Sequence, residues 1–248
     1  MFRGRHILSL PFFLLFVAMP GSSSAQLIVD LSNHLVAITT GFTGQEVLLF
    51  GTTEGEGDVV VVVRGPESEV VVRRKGRKMG IWVNESEMIF RSVPGYYAIA
   101  TSRPLSEFLP ERVAARHQIG VSNLRVNAPE NTDPEAVEAF REALIRNKIR
   151  QNLFFAEAER IAFLGNRLFR TDMRFPANAP VGTYIVQIFL VVDGEVVNAE
   201  ITPLVISKVG FEAGVFHFAH RHSLAYGVLA ILIAVVAGWT ASAVFRKG

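Results

Sequence analysis

From Leu224 to Phe245 the chain reads LAYGVLAILIAVVAGWTASAVF, an apolar run without a charge. As a helix rising ~1.5 Å per residue, it is roughly 33 Å long, enough to cross a hydrocarbon core of ~30 Å. Only Arg246, Lys247 and Gly248 follow it. The rest of the chain therefore precedes a membrane span and is tethered by it. The span has no ionisable residue, so it offers no ion or proton path of its own. Ala230, Ala234, Gly238 and Ser242 recur every four residues along one face. Repeated small residues let a second helix approach closely, although such residues also face lipid in many spans.

A second apolar run lies at the other end. Arg3, Arg5 and His6 precede Ile7–Met19, which Pro20-Gly21 ends, and Ser22–Ala25 are small. A basic start, a short apolar stretch and a small-residue site together read as a signal peptide over 1–25, cleaved before Gln26. The alternative is an uncleaved signal anchor, which the short apolar stretch disfavours. Export followed by a C-terminal span places the bulk of the chain in the periplasm and 246–248 in the cytoplasm of an inner-membrane protein. Arg246 and Lys247 suit the cytoplasmic side; Arg221, on the opposite flank, argues weakly against it.

Cleavage changes the charge. Losing Arg3 and Arg5 leaves as many basic as acidic residues, so affinity for nucleic acid is not expected. The chain has no cysteine, which excludes disulfides, thiolate metal sites and covalent c-type haem.

Between the two apolar segments, 26–102 reads as strand after strand: Leu27–Leu31, Leu35–Thr39, Glu46–Thr52, Asp58–Arg64, Glu69–Arg74, Gly80–Val83, Met88–Arg91 and Tyr96–Thr101. Their branched residues fit a pleated surface. The unbroken valines of Asp58–Arg64 predict a strand buried on both faces. Gly65-Pro66 reads as a turn, and Gly76 as the turn of a hairpin. A short helix is expected within 104–116. Thr132 to Glu135 has the spacing of a capping box, with Pro134 in the first turn. The helix it opens carries Val137, Phe140, Leu144, Ile149 and Leu153 at near-helical spacing; it either runs to Leu164 or breaks near Phe154–Glu157.

Strand character resumes at Leu168–Phe175. After the PANAP loop come Gly182–Val192, the hairpin signal Asp193-Gly194, and Glu195–Ser207. Gly182-Thr183-Tyr184 has the look of a tyrosine corner, and Gly95-Tyr96-Tyr97 shares it. Three strands alone cannot close a core. They either complete the first sandwich or form a second layer on the helix, and one composite domain is preferred. The expected fold is mainly β: an immunoglobulin-like antiparallel sandwich with a helical insertion over 103–166, returning strands over 167–215, a juxtamembrane segment at 216–223 and a transmembrane helix at 224–245.

Several pieces then fall in order: Leu168-Phe169-Arg170, Pro176-Ala177-Asn178, Pro180 to Tyr184, Asp193-Gly194-Glu195, Gly210-Phe211-Glu212, Ala219-His220-Arg221, Tyr226-Gly227, Gly238-Trp239 and Phe245-Arg246. In this order they resemble the alphaproteobacterial transmembrane protein family of unknown function. The resemblance implies a signal peptide, an exported region and one C-terminal span. It also points to an inner-membrane permease as a partner, and it transfers no catalytic residue.

Two clusters carry candidate chemistry. His217, His220 and His222 lie just before the span. Imidazoles so grouped can ligate copper or zinc, or titrate near neutral pH. They also suit anchoring at headgroup level, the favoured reading, since only Glu212 accompanies them as an acid. Arg73, Arg74, Lys75, Arg77 and Lys78 put five cations in six positions. This is a solvated turn or a contact for anionic headgroups or an acidic partner. Glu54, Glu56 and Asp58 lie in a glycine-rich turn without the spacing of a calcium loop. The chain contains no GxSxG, HExxH, P-loop or dinucleotide motif. No cofactor is expected. The expected role is a non-enzymatic binding or accessory subunit, acting with a membrane partner or as a homo-oligomer through the span, with periplasmic metal handling as the alternative.

Overall fold

The computed structural model describes residues 27–209 and 219–245. The signal-peptide reading over 1–25, His217 and the reading of 246–248 as a cytoplasmic tail lie outside these residues. Twelve strands and three α-helices are described. They are β1 (Leu27–Leu31), β2 (Leu35–Ile38), β3 (Gly44–Thr53), β4 (Asp58–Arg64), β5 (Glu67–Lys78), β6 (Ile81–Pro94), β7 (Tyr97–Thr101), β8 (Glu159–Arg160), β9 (Ala162–Leu164), β10 (Leu168–Pro176), β11 (Gly182–Val192) and β12 (Glu195–Lys208). The helices are α1 (Glu111–His117), α2 (Pro134–Arg150) and α3 (Ser223–Phe245).

Two sheets share one core. The first has the order β1-β3-β10-β9 and is antiparallel throughout. The second has the order β2-β12-β11-β4-β7-β8; its central pairs are antiparallel, while β2 and β8 join its two edges in parallel. Alternation along the strands supplies the core. Leu49, Phe169, Met173 and Phe175 come from the first sheet, and Val59, Val61, Tyr184, Val186 and Ile188 from the second. The strands after Leu168 thus complete the first sandwich: β10 pairs with β3, and β11 lies between β12 and β4.

The valine strand is buried on both faces, as expected. Val59, Val61 and Val63 point into the sandwich core. Val60 and Val62 point the other way, into a second core. That second core contains Phe108, Val113 and Ile119 around α1, Phe140 and Leu144 of α2, and Val72, Met88 and Phe90 of β5 and β6. Burying one such side chain is worth about 1.5–3 kcal/mol. β4 is therefore the element on which both layers depend.

Four expectations need correction. Gly65-Pro66 is not a turn between neighbouring strands. Gly65 N–H donates to Tyr96 O, and Gly95 N–H donates to Pro66 O, both at 2.8 Å. β4–β5 and β6–β7 thus form one continuous ribbon that leaves the second sheet at proline, where a ladder donor is missing. Secondly, 81–91 is part of one long strand, β6, and Gly76 sits inside β5 opposite Val83. The turn is Met79-Gly80, with φ of 49° and 83°. Thirdly, α2 starts on Asp133, whose carboxylate accepts from Glu135 N–H; Thr132 bonds Pro129 O instead. Fourthly, α2 ends at Arg150, short of both expected ends. Asn152 takes φ of 56°, and the chain then lies along β7, with Tyr97 N–H donating to Leu153 O and Phe155 N–H donating to Tyr97 O. β8 and β9 follow, so the stretch expected as a helical insertion returns strands to both sheets.

Candidate functional site

The basic cluster lies on the hairpin β5–β6, which projects from the second core. At its root Val72 faces Met88, and both are buried. The Arg74 guanidinium then sits 5.1 Å from the centre of the Phe140 ring, tying β5 to α2. Arg73 pairs with Glu87 across the ladder at 3.0 Å. Beyond these contacts the ribbon continues outward, uncovered by any third layer among the described residues, through Lys75↔Asn84, Gly76↔Val83, Arg77↔Trp82 and Lys78↔Ile81.

Direct cross-strand partners share a face, and successive residues alternate. Trp82 therefore lies on the face of Lys75 and Arg77, while Ile81 and Val83 lie on that of Lys78. Met79 is fully exposed at the turn; Ile81 and Trp82 are 68% and 66% exposed. Cations occupy one strand of the tip and apolar side chains the other. The cations stood out in the sequence, but the apolar half read as an ordinary strand, because nothing local says that Ile81 and Trp82 meet no core.

The hairpin has a defined exit. Arg64, the last residue of β4, is level with Ile185, which is level with Pro203 of β12. β4 and β12 both run antiparallel to β11, so they point the same way. The ribbon and the chain leading towards α3 thus leave the second sheet at the same end.

α3 is apolar throughout, with a mean hydropathy of 2.1 over Ser223–Ser242, and none of that stretch is buried. Ala230, Ala234, Gly238 and Ser242 follow one another at single-turn spacing on its surface. A Cβ built on Gly238 meets nothing within 4 Å. His220 and His222 lie where α3 begins, and His222 O accepts from Tyr226 N–H at 2.9 Å. Among the described residues, no three His, Asp or Glu side chains group as a metal site.

A family model described as "Putative transmembrane protein (Alph_Pro_TM)" matches residues 26–247. The chain belongs to this family. No curated protein and no solved structure matches it. The match runs through the sandwich, the hairpin and the apolar helix alike, so all three belong to the family's architecture.

In this family member, the other polar groups that sequence reading noted or missed hold the fold. Asp58 accepts from Arg103 at 2.9 and 2.7 Å and from Ser102 at 2.8 Å. Burial works to raise its carboxyl pKa, but those hydrogen bonds and the guanidinium charge outweigh it, so Asp58 titrates below the ordinary range. Sequence reading missed Arg64. Its guanidinium donates to Gln187 Oε1, to His117 O at 2.8 Å and to Gln118 O at 3.2 Å. The Tyr97 hydroxyl donates to the same Gln118 O at 2.8 Å. Burial pushes the Tyr97 phenol up to about 12 although Arg64 acts against it. Gln118 itself has φ of 54°, so the end of α1 is pinned to the second sheet. Tyr96 donates to Arg174 O rather than to a residue just upstream, so Gly95-Tyr96-Tyr97 is not a second tyrosine corner.

Proposed function

We propose that this chain is an exported, non-enzymatic binding module held in the inner membrane by α3, and that it serves as an accessory subunit of a membrane partner such as a permease. The bulk of the chain faces the periplasm and its C-terminus the cytoplasm. The observation that carries the reading is the strip Ala230–Ala234–Gly238–Ser242 on a helix that is not buried among the described residues. Without large side chains there, a partner helix can pack at close range. The start of the family match at residue 26 agrees with cleavage before Gln26.

On this reading the sandwich is immunoglobulin-like. β1, β3, β10 and β9 correspond in order to strands A, B, E and D of that fold, and β12, β11, β4 and β7 to G, F, C and C′. The Tyr184 hydroxyl donates to Pro180 O at 2.7 Å, the bond expected of a tyrosine corner at the start of strand F. Such a sandwich is a scaffold shared by many binding modules, so function must be argued from its surfaces.

The test is crosslinking of the tagged full chain in cells, followed by detergent extraction and mass spectrometry. A dominant multi-span protein is expected among the products, and it should be lost when Ala234 and Gly238 are both replaced by leucine. Recovery unchanged by the leucines would sink the helix-face reading. Recovery of the chain alone would make it a homo-oligomer or a free-standing module.

A further inference from the structure

The distal half of β5–β6 is a two-stranded ribbon, and such a ribbon has no core of its own. Its apolar residues are nevertheless gathered at the tip: Met79, Ile81, Trp82 and Val83, all exposed. Exposed apolar patches of this kind mark contacts. We propose that this tip is a second membrane contact: Met79–Val83 enters the interface of an anionic lipid bilayer, the one that holds α3, with Lys75, Arg77 and Lys78 at headgroup level.

The distribution of side chains over the ribbon favours lipid over a protein groove. Trp82 lies on one face and Ile81 and Val83 on the other, with Met79 beyond both. Cations likewise occupy both faces, Lys75 and Arg77 on one and Lys78 on the other. A rigid partner covers one face of a ribbon; a fluid interface surrounds it. Tryptophan is at home at headgroup depth, and lysine or arginine near an anionic surface is attracted to it. Apolar tip and basic collar together have the composition of an interfacial anchor, carried on a hairpin rather than a helix.

The bilayer is within reach. Ribbon and tether leave the second sheet at the same end. Residues 209–222, between β12 and α3, extend at most ~48 Å at ~3.4 Å per residue. From Arg64 to Met79 the ribbon has a contour of roughly 50 Å at ~3.3 Å per residue. Anchored at α3 and at the tip, the sandwich would be held in one orientation against the surface rather than swivelling on its tether.

This inference rests on the membrane anchoring of the chain and not on the accessory-subunit role. Its test uses the full chain carrying Trp239→Phe, which leaves Trp82 as the sole tryptophan. The protein is placed in nanodiscs of phosphatidylcholine alone or mixed with phosphatidylglycerol, each with and without brominated acyl chains. The expected result is a blue shift of Trp82 emission and quenching by bromine in the anionic discs. Both should be lost when Lys75, Arg77 and Lys78 become glutamine. Equal quenching in both kinds of disc, or none in either, overturns the proposal. So does a Trp82 that is unquenched by lipid yet becomes shielded in native membrane vesicles, which would assign the tip to a protein. Failure of the chain to enter discs at all would instead overturn the anchoring by α3.

Discussion

The Tyr184 hydroxyl lies 2.7 Å from Pro180 O and donates its hydrogen to it. The ring is fully buried and meets Tyr96 and Phe175 at centroid distances of 5.6 and 5.5 Å. One side chain thus packs the end of the sandwich and fixes the loop that enters β11. Burial raises the phenol well above its ordinary pKa, so the hydroxyl keeps its proton, and remains a donor, near neutral pH.

Tyr184→Phe keeps the ring and removes the donor. The Pro180 carbonyl is then left without this partner, and a loss of about 1–2 kcal/mol is expected. Thermal unfolding of the full chain in detergent should show a lower midpoint with an unchanged folded spectrum. A midpoint equal to that of the parent would mean that the corner bond does not hold the loop.

Arg64→Met retains an apolar stem but leaves the carbonyls of His117 and Gln118 without their guanidinium. The expected cost is about 2 kcal/mol, concentrated at the end of α1. Hydrogen exchange followed by mass spectrometry should show faster exchange over 111–118 than over β10. Uniform protection would show that the pin is dispensable.

Asp58 sets an acid-sensitive contact. Its carboxyl pKa is lower folded than unfolded, so its stabilisation is present above the ordinary value of 3.8 and is lost as pH falls through the lower folded pKa. Asp58→Asn should be less stable than the parent near neutral pH, and the gap should close in acid below that value. A gap that stayed constant with pH would exclude the Asp58–Arg103 pair as its source.

Gly194 closes the β11–β12 hairpin at φ of 80°. A Cβ there would lie 3.1 and 3.2 Å from Pro110 Cδ and Cγ, at the entry to α1. Gly194→Ala is expected to cost about 1 kcal/mol or more, from the left-handed backbone and the crowding together. Asp193→Gly, at φ of 50°, should be close to neutral. Equal midpoints for the two variants, measured by urea unfolding, would contradict this account.

Much of this molecule was legible from the chain alone, because the relevant signals are local. The span needs only length and absence of charge, and α3 begins within one residue of the expected start. The limits of β4 and β11 coincide with the sequence reading, since alternation, or its absence at Val59–Val63, reports which faces are buried. Asp193-Gly194 closes its hairpin because those two residues tolerate the backbone that the turn requires. The tertiary structure alone decided the rest. Gly65-Pro66 has the local chemistry of a turn, yet the ribbon passes through it because Tyr96 O and Gly95 N–H stand opposite. α2 has apolar spacing enough to continue past Arg150, yet the chain is drawn off to the edge of β7, where Tyr97 supplies backbone partners. Likewise Ile81 and Trp82 look like core residues until the second core is seen to end at Val72 and Met88. In the first two cases the deciding partner is far away in sequence, and in the third it is the absence of a covering layer among the described residues. Periodicity reports which face of an element is apolar, but only the fold determines what that face meets.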